Sequence, residues 1–226
     1  MRVLRDHIEV IGLPGSGKST LVDQLKRHPE MPPVLPPHDP GAFSTLTAAA
    51  QLAVTGLLTI PRAMSPLICS RDGCWLIAKL SYRSAALKQR SGPKALLQDS
   101  GVLQPLVSFA AEYRNGLLPK LPAAELLSLL WLPRVVLYVR VPPELALERY
   151  RMRQVETGRR SEVRVTMDGF MEAHAACETI AEIYRQKADR DLVVVDNIHP
   201  LENMDLMNLV AKLRKHLDET GEMRNS

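Results

Sequence analysis

Cysteine is scarce in this chain of 226 residues, and the three present, Cys69, Cys74 and Cys177, lack the spacing and the nearby His partners of a metal site. An odd, widely spaced set also fits no disulfide framework, so reduced thiols and a cytoplasmic location are expected. Glycine, at 12, and proline, at 17, are too few and too unperiodic for a collagen-like or wholly disordered chain. A secretory leader is not expected either. From Met1 to Glu9, charge interrupts the apolar residues every two or three positions, so the chain is expected to enter its fold directly.

Nor is there a clean apolar run of membrane length. Residues 40–61 carry no charge, but Ser44, Thr45, Thr47, Gln51, Thr55 and Thr59 break the stretch, short of the ~20 predominantly apolar residues that a span needs. The segment reads as a buried helix or a homodimer-interface helix; contact with a membrane surface or a lipid-linked acceptor is the alternative. What is present fits a folded globular chain: 46% hydrophobic and 24% charged residues. A formal charge of +4 permits anionic partners without demanding nucleic acid, and a phosphate-bearing small molecule suffices.

Ile8-Glu9-Val10-Ile11 predicts a strand that stops at Gly12, and Leu21, Val22 and Leu25 then recur at helical spacing. Val34-Leu35, between two Pro-Pro pairs, predicts a short extended segment ending in a loop at His38-Asp39-Pro40-Gly41. Helices are predicted over about 44–58, 75–88, 102–113 and 123–131. Strands follow at 95–98, 134–141 and 192–195, and a closing helix aligns Leu206, Val210, Leu213 and Leu217 on one face. Val-rich runs separated by helices require a parallel sheet covered on both sides. The expected architecture is α/β: a three-layer, doubly wound sheet of about five strands in one domain, residues 1–222, with 223–226 as a tail. Trp75, Trp131 and the methionines read as core.

Gly12-Leu13-Pro14-Gly15-Ser16-Gly17-Lys18-Ser19 satisfies G-x-x-x-x-G-K-[ST] between a predicted strand and a predicted helix, as a P-loop requires. Glycines let backbone N–H groups converge on phosphate oxygens, and the helix behind presents its positive end. Gly12, Pro14, Gly15, Ser16, Gly17, Lys18, Ser19 and Thr20 are therefore the candidate phosphate-binding residues, with Lys18 at the β- and γ-phosphates and Ser19 on Mg²⁺. P-loop chains include kinases, GTPases, motors and transport ATPases. There is no guanine-reading Asn-Lys-x-Asp and no D-x-x-G switch after a strand, and the chain shows no second ATPase module, which leaves a kinase as the leading class.

Asp99, closing a predicted strand, is either a catalytic and metal-side carboxylate or a cap for donors around Val102. Arg149 and Arg153 share a helix face at i, i+4, and Arg159 and Arg160 follow Gly158. Between Glu148 and Arg164 stand six Arg and three Glu, the charge that a lid over a transferring phosphoryl group needs, or else a solvated basic face. Candidate acceptor contacts lie in the region 38–131: His38, Asp39, Arg71 and Arg83, each alternatively a surface or turn residue.

These motifs together resemble the thymidylate kinase-like branch of the nucleoside and nucleotide kinases. The resemblance rests on the glycine loop, on Asp39-Pro40-Gly41, on Asp99, and on Pro143-Glu144-Leu145-Ala146-Leu147-Glu148-Arg149-Tyr150-Arg151-Met152-Arg153. It implies a five-stranded parallel sheet, use of ATP and Mg²⁺, and an arginine lid over about 153–164. By the same resemblance, Arg149 or Arg153 would pack on the adenine, Arg159 or Arg160 would be the lid arginine, and Asn197 with Ile198 would border the base. Two departures stand out: Ser100 follows Asp99 where thymidylate kinases usually carry an arginine for the acceptor phosphate, and His38 replaces another arginine. Phe43, Tyr82 and Phe109 are the aromatics able to stack on a base. An ATP-dependent phosphotransferase acting on a nucleotide, nucleoside, sugar or other metabolite is the reading. The alternatives are a non-catalytic nucleotide-binding module that docks a partner or membrane, and a nucleic-acid-end kinase.

Overall fold

The computed structural model describes residues 2–33, 46–47, 49–50, 52–54, 58, 68–89, 96–99, 101–112, 123–157, 166–186, 191–198 and 203–222. Along the chain run β1 (Arg2–Gly12), α1 (Lys18–Lys26), α2 (Arg71–Gln89), β2 (Leu96–Asp99), α3 (Gln104–Glu112), α4 (Ala123–Leu129), β3 (Trp131–Arg140), α5 (Pro143–Thr157), α6 (Met167–Arg185), β4 (Asp191–Asp196) and α7 (Asn203–Glu222).

Four described strands form one parallel sheet in the order β2-β1-β3-β4. The strand expected at Val34-Leu35 lies outside the described residues. The residue leading into it, Pro33, accepts a hydrogen bond from Leu97 N–H at 3.3 Å, on β2.

Both faces of the sheet are buried, which explains the unbroken Val and Leu runs. On β3, Val135, Leu137 and Val139 pack with α1 and α7, while Leu132, Val136 and Tyr138 pack with α2, α3, α4 and α6. Ile8 and Val10 of β1 join the first group and Ile11 the second. The alternation puts the intervening residue, Glu9, into the second layer, where its exposure is 0%.

The structure departs from expectation at several points. β1 begins at Arg2 rather than Ile8, because Arg2–Leu4 pair with Trp131–Pro133 before a register shift. Trp131 opens β3 instead of closing the preceding helix, which ends at Leu129. Trp75 is 40% exposed with the Lys79 ammonium 4.1 Å from its ring centre, and Met152, Met167, Met171 and Met207 are exposed too, so Trp75 and these four methionines are not core, whereas Met31 is. Of the uncharged segment, Leu46, Val54 and Leu58 face solvent while Leu52 is buried. Among the described residues no helix is long and apolar enough to cross a membrane.

Parallel pairing brings the strand carboxyl ends to one edge, where Gly12, Asp99, Arg140 and Asp196 end their strands. Open α/β sheets bind ligands along that edge.

Candidate active site

The loop between β1 and α1 wraps the end of β1. Gly15 and Gly17 hold φ values of 81° and 88°, a region other residues rarely enter. Space forbids a side chain as well: a Cβ on Gly15 would meet the Ala146 carbonyl and Tyr150 nitrogen of α5, and one on Gly17 would meet the Asn197 amide. Ser16 is fully buried between them. Lys18 Nζ donates to the carbonyls of Gly12 at 2.9 Å and Leu13 at 2.8 Å, folded over the loop it serves. Burial pushes the Lys18 ammonium down to about 8, with the Arg153 charge adding to the fall and Asp99 opposing it.

On the β2 flank, Ser19 Oγ donates to Asp99 Oδ2 at 3.2 Å, joining residues 80 apart in sequence. The donors near Val102 that Asp99 was an alternative to cap belong to Glu9 instead. Its carboxylate accepts from the N–H groups of Val102 at 2.9 Å, Leu103 at 2.7 Å and Gln104 at 3.0 Å. Burial raises the Glu9 carboxyl to about 7 against the pull of these three bonds and of the Arg83 charge. Gln104 then locks α3 to the loop: its side chain accepts from Gly12 N–H at 3.2 Å and donates to the Gly12 carbonyl at 3.1 Å.

On the β4 flank, α5 and the turn after β4 enclose a cleft of about 410 Å³ lined by Gly15, Gly17, Thr20, Leu21, Gln24, Arg149, Arg153 and Asn197. Arg149 donates to the carbonyls of Asn197 at 2.9 Å and Ile198 at 2.8 Å, and Asn197 Nδ2 donates to the Ser16 carbonyl at 2.7 Å. Beneath them, Arg140 forks onto Asp196 at 2.6 and 2.9 Å.

The fold is shared with solved structures. Three structures of deoxyadenosine kinase from M. mycoides superpose on 92% of this chain. The one with bound dATP has 17% identity and a TM-score of 0.54 over 98% of its length. That with the products dCMP and a flexible dCDP has 19% identity and 0.54 over 99%, and that with dCTP 18% and 0.51 over 98%. No protein-family model matches the sequence, and no curated protein matches it significantly. At these identities the likeness establishes a shared fold and nothing finer.

Of the residues singled out by sequence, the structure brings together Gly12, Pro14, Gly15, Ser16, Gly17, Lys18, Ser19 and Thr20 in the loop and first helical turn, with Asp99 on one side and Arg149, Arg153 and Asn197 on the other. Arg71 and Arg83 are separated by twelve positions on α2, about 18 Å along the axis, so they cannot serve one small group together. Arg83 is the one whose charge reaches Glu9. His38, Asp39, Arg159 and Arg160 lie outside the described residues. Sequence reasoning missed Glu9, Gln104 and Gln24; the only signal for Glu9 was a charge inside an otherwise apolar strand.

Proposed function

We propose that this protein is a P-loop kinase that transfers the γ-phosphoryl group of a nucleoside triphosphate to the hydroxyl of a nucleoside. The observation that carries the reading is the Ser19–Asp99 contact beside Lys18, which assembles a hydroxyl, a carboxylate and an ammonium at one phosphate-sized loop. Ser19 and Asp99 are hard oxygen donors, the set that suits Mg²⁺ when phosphate oxygens supply the remaining ligands. When bound, Mg²⁺ neutralises charge on the β- and γ-phosphates.

The chain's own residues do the rest. Backbone N–H groups of residues 15–19 and the N-terminus of α1 bind the phosphates, and Lys18 exchanges its bonds to Gly12 and Leu13 carbonyls for phosphate oxygens. Asp99 takes the acceptor's proton as its oxygen bonds to phosphorus, the bond from the bridging oxygen to γ-phosphorus breaks, and the diphosphate leaves. The developing charge would fall to Arg159 and Arg160, the pair that the sequence assigns to a lid. The homodimer and lipid-linked acceptor suggested by residues 40–61 have no further support.

Two features favour a nucleoside over a nucleotide acceptor. The M. mycoides neighbour is a nucleoside kinase, whereas the thymidylate kinases that the motifs resemble need an arginine where this chain has Ser100. The test is diphosphate release from MgATP across nucleosides, nucleoside monophosphates and phosphorylated sugars, with Lys18→Ala as blank. Release that depends on Lys18 and on a nucleoside is expected, and Asp99→Asn should slow it by about 10²–10⁴ while sparing ATP binding. Activity with monophosphates alone would return the chain to the thymidylate kinase-like reading. A profile flat across acceptors would leave a nucleotide-binding module.

A further inference from the structure

The two arginines that line the cleft are not equivalent. Arg153 is exposed, whereas Arg149 is half-buried and its guanidinium spans two successive carbonyls, Asn197 at 2.9 Å and Ile198 at 2.8 Å. A fork on two carbonyls of one turn fixes both the turn and the plane of the guanidinium. Asn197 is held from behind too, its N–H donating to the Arg140 carbonyl at 3.0 Å. From this pinned backbone its side chain reaches the Ser16 carbonyl at 2.7 Å. Gly17 leaves the space that this amide fills.

We infer that Arg149 is a positioning residue acting through Asn197 on Ser16, so that the turn beside the nucleobase and the loop around the phosphates move as one body. The inference rests on the nucleotide-binding reading above, and it departs from the adenine-packing role that the family resemblance implies. On this account Arg149 contributes to phosphate binding without touching a phosphate, and the base contact falls to Arg153.

Calorimetric titration of the full chain with MgATP and with Mg²⁺-tripolyphosphate, which has no base, separates the roles. Arg149→Met and Asn197→Ala are each expected to weaken both ligands by the same factor, about tenfold, the equivalent of a lost buried hydrogen bond. The double variant should be no weaker than either single one, because both break one connection. Arg149→Lys should fail to rescue, since an ammonium keeps the charge but cannot fork onto two carbonyls. Loss of ATP with tripolyphosphate unchanged would make Arg149 a base contact and overturn the inference. So would rescue by lysine, or additive losses in the double variant. If Arg149→Met does not fold by circular dichroism, Asn197→Ala, which removes only an amide, decides alone: unchanged tripolyphosphate affinity in it overturns the connection. A wild type that binds neither ligand would instead overturn the nucleotide reading itself.

Discussion

The β4 flank of the glycine loop is open, and its contacts are carbonyls, an amide and two arginines around a cleft of about 410 Å³. The β2 flank is closed: Glu9 and Gln104 are buried and satisfied by backbone groups, with Asp99 as the part that looks out. Lys18 stands between the two. A phosphate site built this way takes its rigidity from a dry wall and its ligand contacts from a wet one. Substitutions on the β2 side should therefore register as stability, and those on the β4 side as affinity.

Glu9→Ala is the harshest way to break the closed flank. It orphans the N–H groups of Val102, Leu103 and Gln104 in a buried site. Because one buried unsatisfied donor costs about 1–3 kcal/mol, urea unfolding at pH 8 should report a loss of about 3 kcal/mol or more. A loss below about 1 kcal/mol would mean that water enters and the wall is not dry. The pH profile carries the same information. With its folded value raised to about 7 from 4.5, Glu9 contributes stability that is fully present below about 4.5 and lost as pH rises through about 7. Replacing Glu9 with Gln should flatten that slope.

The contrast between the flanks also explains what the sequence disclosed. Residues 12–20 are contiguous, and their backbone does the binding, so composition and spacing alone identify them. Asp99 and Asn197 were accessible because each closes or follows a Val- or Leu-rich strand, where α/β sites gather. Glu9 was not, because a charge within a strand reads as a solvent-facing position unless the opposite face is known to be covered. The cover is the entry to α3, Val102 to Gln104, 93 to 95 residues away in sequence. Trp131 was misassigned for a related reason: only Leu130 separates α4 from β3, and nothing in Ala123–Trp131 breaks the helical pattern.

Gly17→Ala tests the open flank. Its φ of 88° costs an alanine about 1–2 kcal/mol, and the methyl group displaces the Asn197 amide from Ser16. A modest stability loss is expected together with a larger loss of MgATP affinity, the reverse of the Glu9 result. Equal losses in both quantities would erase the distinction between the flanks.

The smallest expected effect belongs to Lys18, the group the two flanks share. Burial lowers its folded value from 10.5 to about 8, so the charged form is penalised in the free protein. The sign for stability follows: this term is least favourable below about 8 and improves as pH rises from about 8 toward 10.5, because the unfolded chain then binds the extra proton. Ligand binding runs the other way. A phosphate chain needs the ammonium and stabilises it, so the free protein must take up a proton wherever Lys18 is neutral. MgATP affinity should be nearly flat between pH 7 and 7.5, then fall as pH rises through 8, approaching about tenfold per unit. Titrations in buffers of different ionisation heat should detect proton uptake near pH 8.5, and Lys18→Met should abolish it. Uptake that survives in Lys18→Met would assign the proton to another group and leave Lys18 charged throughout.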